Sequence, residues 1–536
     1  MYISQMTIKN YRTFRHVKLC FDSHMNYIVG DNNIGKSNFL SLLKWITHGY
    51  GFQEGDFLDA SAPIQVHMTL VTPTGEEKHL RLVQYVREIY PRLFDNDSGK
   101  ALPLEYLRCL FYIDFGLFEA SRHGLKEKPA KQMLALLTEY LSLPGAAAET
   151  EVLMESRGIV LKLSEKPAEQ AALSLLREIF GSEGGHGRGT MRLMMAVGLL
   201  LLTEMVEKKK SKAISFEKMI VTDRERKKFL PLLLSVDEPE LHLNPYLQRS
   251  ILAFCHNILE NKDPLFLKMV QKLLGVDGLK GQLFVVTHST DALVNDYRQI
   301  IRLYRGEKEM VQAACGASFH FDMEIEKHLI MHFPEVKEAL YARAAILVEG
   351  ETEYGSFGGF ARTLGVHLDY CGICLINARG ESSIEKIARL LRRFHISAIS
   401  LYDRDVMTDN RKKDVFYTDY ICYEMDVVKA CLAKQKRALL DQVIARIGGG
   451  GDRVNSALVK KAGVKLSVPK EYYPPKKLKN INPRNQEALE FYYFAWLYGN
   501  KGVIIGRALA EAMNKEEIPP AFAKVIRAAA ERAGNQ

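Results

Sequence analysis

The chain lacks any apolar run long enough to cross a bilayer. No window approaches the roughly 18 uninterrupted residues a spanning helix needs; the best stretch, Met194 to Met205, is short and bounded by charge. The opening segment, MYISQMTIKNYRTF, does not run from basic to apolar to small residues as a signal peptide would, so no leader is expected. A cytoplasmic protein with no membrane partner is therefore expected. Cysteine is sparse, eight in 536 residues, and Cys371 and Cys374 form a single C-x-x-C with no second pair or nearby histidines to complete a zinc site. Buried reduced thiols are expected rather than disulfides. Internal repeats, long low-complexity tracts and long heptad arms are missing, and no Ser/His/Asp set for nucleophilic hydrolysis is apparent.

What is present is a chain with 47% hydrophobic residues and a net charge of +9. A prior of roughly 150 residues per domain allows two to four domains. The charge is uneven. Between Arg453 and Arg484 lie nine Lys or Arg residues (Arg453, Lys460, Lys461, Lys465, Lys470, Lys476, Lys477, Lys479, Arg484) against one acid, Glu471. Tyr472 and Tyr473 sit among them. This composition suits either a polynucleotide backbone with unstacked bases or a solvated loop.

Two phosphate-chemistry signatures stand far apart in the chain. The first is GDNNIGKS, Gly30 to Ser37, which fits G-x-x-x-x-G-K-[ST] after a strand-like alternation and before a helix-like spacing. Gly30 and Gly35 let backbone N–H groups wrap phosphate, Lys36 reaches the β- and γ-phosphates, and Ser37 ligates magnesium; Asn33 and Asn38 are counted with this nucleotide-binding set. Downstream, the apolar strand LLLSV ends in Asp237, a magnesium ligand, and Glu238, which would orient or deprotonate the attacking water. QLFVVT ends at His288, placed to sense the γ-phosphate. GRGTMR supplies Gly187, Gly189, Thr190 and Arg192 at the start of a helix.

The second signature is AAILVEGETE followed by AISLYDRD. Glu349 ends a strand, Glu353 follows one helical turn on, and Asp403 and Asp405 are expected on one face of a strand end by period two. Ligands bind at the C-terminal edge of parallel sheets. Carboxylates converging there need a cation, and hard oxygen ligands favour Mg²⁺ or Mn²⁺. Glu424 and Asp426, in DVFYTDYICYEMDVV, are expected on the same side of a strand or turn.

MTIKNYRTFRHVKL, the phosphate loop, DEPELHLNP and FVVTHST resemble the ABC-type ATPase head of the overcoming-lysogenization-defect (OLD) nuclease family. E-G, Gly380 and D-x-D resemble its Toprim domain. The resemblance covers nearly the whole chain. It implies an α/β fold: an ABC-type ATPase head with a helical insertion, then a Toprim domain with a Rossmann-like parallel sheet, then a helical tail. The expected divisions are ATPase residues 1–89, an inserted helical dimerisation arm at 90–185, ATPase residues 186–320, a connector, a Toprim domain at 340–447, and a basic and helical region at 448–536, entered through the Gly448–Gly451 joint.

In such heads two subunits sandwich ATP, so a homodimer or higher oligomer is implied, with Gly187, Gly189, Thr190 and Arg192 meeting the neighbour's phosphates. The family usually has Gln where this chain has Met191; that points to slow hydrolysis, with ATP as a dimer lock or sensor. The resemblance also implies a second metal site completed by Glu424 and Asp426. It makes Lys501, in KGVIIGRALAEAM, a stabiliser of the phosphorane or leaving group. It implies an ATP-regulated DNA endonuclease serving bacterial defence against phage, alone or with a helicase or a retron reverse transcriptase and its DNA. The segment after D-x-D also looks like the Toprim-like domain of tRNA-cleaving effectors, so RNA stays open as substrate. A non-nuclease ATP-dependent DNA clamp remains the third alternative; it leaves the carboxylates unexplained.

Overall fold

The computed structural model describes residues 1–114, 127–180, 186–211, 216–240, 243–293, 296–306, 309–407, 413–447, 451–469 and 473–534. The chain divides into two units, Met1–Phe319 and His320–Gln536.

The first unit is built on two sheets. β1 (Tyr2–Tyr11), β2 (Phe14–Cys20), β4 (Ile64–Val71), β5 (Glu77–Gln84), β6 (Arg92–Asp95) and β7 (Ala101–Leu102) form an antiparallel sheet in the order β2-β1-β4-β5-β6-β7. Its strands alternate: in β4 every second residue, from Ile64 to Leu70, is buried, as one buried and one wetter face require. The second sheet runs β13-β12-β3-β11-β10-β8, from β3 (Met25–Val29), β8 (Phe111–Asp114), β10 (Lys228–Asp237), β11 (Gly278–Val286), β12 (Ile300–Arg305) and β13 (Val311–Cys315), with β9 (Val221–Thr222) beside β10. β8, β10, β11, β3 and β12 are mutually parallel. β3 is buried throughout and β10 from Phe229 to Val236, the near-continuous apolar runs of strands covered on both faces. Gln282 of β11, fully buried, pairs both backbone groups of Ile3 at 2.8 Å and so joins the two sheets.

Helix α1 (Lys36–His48) follows β3 directly. The inserted helices are α2 (Glu127–Leu141), α3 (Ala146–Glu155) and α4 (Ala168–Phe180), followed by α5 (His186–Lys210), α6 (Pro245–Leu259) and α7 (Pro264–Leu274). The expectation of helix from residue 90 onward is corrected. Residues 92–95, 101–102 and 111–114 are strands of the two sheets, Leu104–Cys109 is a short 3-10 helix between them, and the described α-helices of this region begin at Glu127. The alternation there is too short to stand out from its flanks, and strand neighbours decide it. α2 and α4 pack on α5, and Arg157 is tied to the α7 cap Asp263 at 2.8 Å.

The second unit opens with α8 (Met323–Val336), which packs on α11 (Glu381–Arg393) through Lys386–Glu324 and Ser383–His332 contacts at 3.0 and 3.2 Å. The expected connector is therefore a helix of this unit. Its sheet, β15-β14-β16-β17, is wholly parallel: β14 (Ala344–Val348), β15 (Ile373–Asn377), β16 (Ser397–Tyr402) and β17 (Val415–Tyr417). α9 (Glu351–Thr363), α10 (Leu368–Cys371) and α11 connect the strands. α12 (Tyr423–Ala433), α13 (Arg437–Ile447), α14 (Ser456–Leu466), α15 (Gln486–Gly499), α16 (Val503–Ala512) and α17 (Pro520–Gly534) complete it.

The region after residue 448 shares the core of the parallel sheet rather than standing apart. Phe522 of α17 stacks on Phe360 and Tyr423, at 6.1 and 4.9 Å between centroids. Each such ring is worth roughly 1.5–3 kcal/mol when buried. Most of the Gly448–Gly451 joint, and Tyr472, lie outside the described residues.

Candidate nucleotide and metal sites

The nucleotide loop is positioned by the end of β3 and the start of α1. Gly30 and Gly35 have φ of 142° and 109°, and a Cβ would lie 2.4 Å from Leu303 O at the first and 2.3 Å from Thr13 Oγ1 at the second. Only glycine fits. Asn33 is also left-handed, with φ 60°. Lys36 is buried and folded back, donating to Gly30 O at 3.0 Å and Asp31 O at 2.8 Å. Burial lowers its pKa, opposed by Asp31, Glu238, Asp237 and Glu240. Ser37 is exposed at the first turn of α1. Asn38 is held by Arg12 and Thr13, at 3.1 and 3.2 Å, so its amide latches the antiparallel sheet to the loop.

Asp237 ends β10 and is exposed; Glu238 follows with φ 49° and donates its N–H to Val286 O at 2.8 Å. A non-glycine residue in that region is strained. Sequence reasoning missed Glu240. Its carboxylate accepts from Thr287 Oγ1 at 2.7 Å and from the His288 N–H at 2.5 Å, which clamps the end of β11 to the turn after β10 and leaves the His288 ring exposed. The spacing D-E-x-E was the available signal. Gly187 and Gly189 fall in the first turn of α5, as expected, and Thr190 and Arg192 follow on it. Arg192 pairs with Glu178 of α4 at 2.8 Å.

In the second unit the strand order places β14 between β15 and β16, so the chain reverses direction across the sheet at β14 and β16. A ligand crevice outside the carboxyl ends of the strands lies at such a switch point. Glu349 follows β14 and Asp403 follows β16. Gly380 approaches the same turn, donating its N–H to Glu349 O at 3.0 Å. Glu353, in the first turn of α9, is buried, as is Glu424 in the first turn of α12.

The groups act on one another. Burial raises Glu353, and Glu424 and Asp403 raise it further. Burial pushes Asp403 up to about 7, reinforced by Glu349 and Glu424 against Lys501 and Lys465. Burial also raises Glu349, opposed by Lys501 and assisted by Glu381 and Asp405. Two lysines balance this cluster. Lys501 lies 3.2 Å from Glu424, and although burial opposes its charge, Glu424, Glu353 and Asp403 hold the ammonium above its usual value. Lys465, which sequence reasoning did not assign to this site, pairs with Asp405.

Three expectations are corrected. Asp403 and Asp405 do not share a strand face: β16 ends at Tyr402, Asp403 caps a short 3-10 turn, and Asp405 lies exposed within it. Glu424 and Asp426 lie on a helix, not a strand or turn, where two residues are about 200° apart. Asp426 therefore faces away from the cluster and accepts the N–H groups of Asp419 and Tyr420 at 2.8 and 2.6 Å. Tyr473 is not free for a base: its ring stacks on Phe491 at 3.8 Å and its hydroxyl donates to Glu487.

Among the described residues no group of three or more His, Cys, Asp or Glu side chains is arranged as a ready metal cage. The donor set nonetheless fits a hard divalent cation. Glu424 Oε1 is buried and has no hydrogen-bond partner, and the remaining ligands would be carboxylate oxygens. Such an oxygen costs free energy unless a donor or cation meets it.

The model of the OLD-like Toprim domain matches residues 340–405, and that of an AAA ATPase domain matches residues 1–61. Endonuclease GajA of Bacillus cereus is 38% identical over 76 residues, 13% of each chain. DNA replication and repair protein RecF of Oceanobacillus iheyensis is 24% identical over 226 residues, 33% of this chain and 59% of that protein. The chain thus spans about an eighth of one curated relative and under two thirds of the other. The C-terminal region of the Burkholderia pseudomallei OLD protein is 16% identical with a TM-score of 0.23, covering 36% of this chain and 99% of that one. The chain thus carries a match to an AAA ATPase domain at its start and a match to the OLD-like Toprim domain in its second unit.

Proposed function

We propose that the chain is an ATP-regulated, divalent-metal-dependent endonuclease that cleaves DNA and serves as a bacterial anti-phage effector. The observation that carries this reading is the meeting of Glu349, Glu353, Asp403, Asp405 and Glu424 with Lys501 and Lys465 at the β14–β16 switch. The GajA likeness supports it.

Glu353, Asp403 and Glu424 would hold one cation, and Glu349 with Asp405 would hold the other; bound Mg²⁺ or Mn²⁺ supplies charge stabilisation to the attacking and leaving oxygens. Lys501, already among carboxylates, stays protonated and neutralises charge developing on the phosphorus oxygens. Burial of Asp403 and Glu353 excludes water from the ligand side, so these carboxylates are kept for the cation. In the first unit Lys36, now on the Gly30 and Asp31 carbonyls, would turn to the nucleotide phosphates, and Ser37 and Asp237 would hold the accompanying Mg²⁺. Glu238 would position the attacking water, and Gly187, Gly189, Thr190 and Arg192 of a second copy would complete the nucleotide site.

The RecF likeness lies with the clamp alternative, but a clamp has no use for the second unit's carboxylates. The test incubates purified protein with plasmid DNA and with total tRNA, with Mg²⁺ or Mn²⁺, with and without ATP. DNA cleavage that needs the metal is expected. Cleavage of tRNA alone would move the substrate to RNA, and cleavage of neither would return the clamp.

A further inference from the structure

The carboxylate cluster uses Lys465 and Lys501 but leaves a basic helical face beside them unexplained. α14 carries Ala457, Lys460, Lys461, Val464 and Lys465, spaced i, i+3, i+4, i+7 and i+8, which is one face of a helix. Those five residues and Tyr498 of α15 line an open surface cavity of about 430 Å³. Val464, in its wall, is 72% exposed.

Ammonium groups gather on one ring here. Lys501, Lys461 and Lys465 lie 4.5, 5.2 and 6.0 Å from the Tyr498 centroid. Phe494 stacks on the same ring at 5.1 Å, 19° from parallel, which fixes it. Like charges at i and i+4 on a helix repel. Lys465 has Asp405, but among the described residues neither Lys460 nor Lys461 has a carboxylate partner. Lys461 donates instead to Tyr498 O at 3.4 Å. An anion lying against this face would relieve the repulsion. Lys465 is the joint, because its side chain lines the cavity while its ammonium pairs with a residue of the carboxylate cluster.

We propose that this cavity is a phosphate subsite that holds the polynucleotide backbone next to the scissile phosphodiester. The proposal rests on the nuclease reading above and names where its substrate is gripped. Recognition is by charge and indifferent to base, since Tyr498 is occupied by Phe494 and the ammonium groups and has no need of a base to complete its packing. It also relocates the grip within the basic stretch. Lys476, Lys477 and Lys479 are exposed, and among the described residues no hydrogen bond or ion pair joins them to the carboxylates, whereas Lys460 and Lys461 share a helix face with Lys465.

The experiment measures binding of a short fluorescent oligonucleotide, single-stranded or duplex, in EDTA, so that binding is read without cleavage. The variants are the pair Lys460→Ala with Lys461→Ala, the single change Val464→Glu, and, as a control, Lys476→Ala with Lys477→Ala. Loss of two phosphate contacts should flatten the log–log salt slope by about 1.4 on single strands or about 1.8 on duplex. The control pair should leave it unchanged. Val464→Glu places a carboxylate in the cavity and should weaken binding in the same direction. In cleavage assays the lysine pair should raise KM and leave kcat within about twofold, because uniform binding is what is removed.

An unchanged slope and KM, with the parent protein cleaving, overturns the subsite and spares the nuclease reading. A flattened slope in a parent that never cleaves keeps the subsite and sinks the nuclease reading. Inorganic phosphate is the second arm: if it protects Lys460 and Lys461 from acetylation and the oligonucleotide does not, the cavity takes free phosphate and the proposal fails.

Discussion

Asp403 shows how one residue carries both the stability and the chemistry of the second unit. Its carboxyl is raised from an ordinary 3.8 to about 7 by burial and by Glu349 and Glu424. A raised carboxyl binds its proton more tightly folded than unfolded. The stability it contributes is therefore full below about pH 4, falls as pH rises, and is gone above about pH 7. Asp403→Asn removes that loss. In EDTA at pH 8 the variant should melt higher than the parent, by about 2–4 °C for each kcal/mol recovered, and the difference should vanish near pH 4. Mg²⁺ or Mn²⁺ should raise the melting temperature of the parent and not of the variant; equal stabilisation of both would remove Asp403 from the metal set. The same variant should lose cleavage. At Lys36, removing the ammonium withdraws a charge-assisted contact worth about 1.5–3 kcal/mol. Lys36→Ala should weaken ATP binding by at least roughly tenfold by titration, and unchanged affinity would mean the loop does not hold phosphate.

At the scale of elements, the position of Lys501 depends on how closely α9 and α16 pack. Gly355 and Gly359 of α9 meet Val503 O and Ala510 Cβ; a Cβ added at either would come within 2.3 and 2.5 Å. From the other side, a Cβ at Gly506 would lie 2.0 Å from Thr352 O. The Gly502 N–H donates to Thr352 Oγ1 at 3.1 Å, one residue beyond Lys501. The small residues thus bring two backbones together, and that approach sets Lys501 against Glu424. Gly506→Val should force the helices apart at a cost of about 1–3 kcal/mol, read by chemical denaturation. It should lower kcat more than Lys501→Arg does, since it displaces the cation from its partner. A variant of parental stability and activity would show that the approach is not needed.

On the scale of the whole molecule, two units with separate cores carry the two chemistries. Changes in one are expected to spare binding in the other: Asp403→Ala should abolish cleavage and leave ATP affinity intact. Arg192 already pairs with Glu178 within its own chain, so a trans contact to a neighbour's phosphate would have to compete with that pair. The protein should be at least dimeric with ATP by light scattering. A monomeric mass with and without ATP would return Gly187, Gly189, Thr190 and Arg192 to a role within one chain.

The sequence alone determined the local chemistry. GDNNIGKS could be read because its glycines sit where backbone must pass another atom, and β14, β15, α4 and α6 could be bounded because their burial patterns follow unbroken hydrophobic periods. Glu349 and Asp403 were legible because strand ends in a parallel sheet present their next residue to the crevice, and Glu353 because it stands one helical turn on from Glu349. The tertiary structure decided what depends on contacts distant in sequence. Glu240 became a clamp only when β10 and β11 lay side by side, and Lys465 reached Asp405 across sixty residues of chain. Asp426 left the cluster because its segment folded as a helix, in which neighbours two apart diverge. Residues 92–95, 101–102 and 111–114 became strands because two sheets had edges to extend. Local periodicity reports the environment of one segment, while packing between segments fixes which side chains meet.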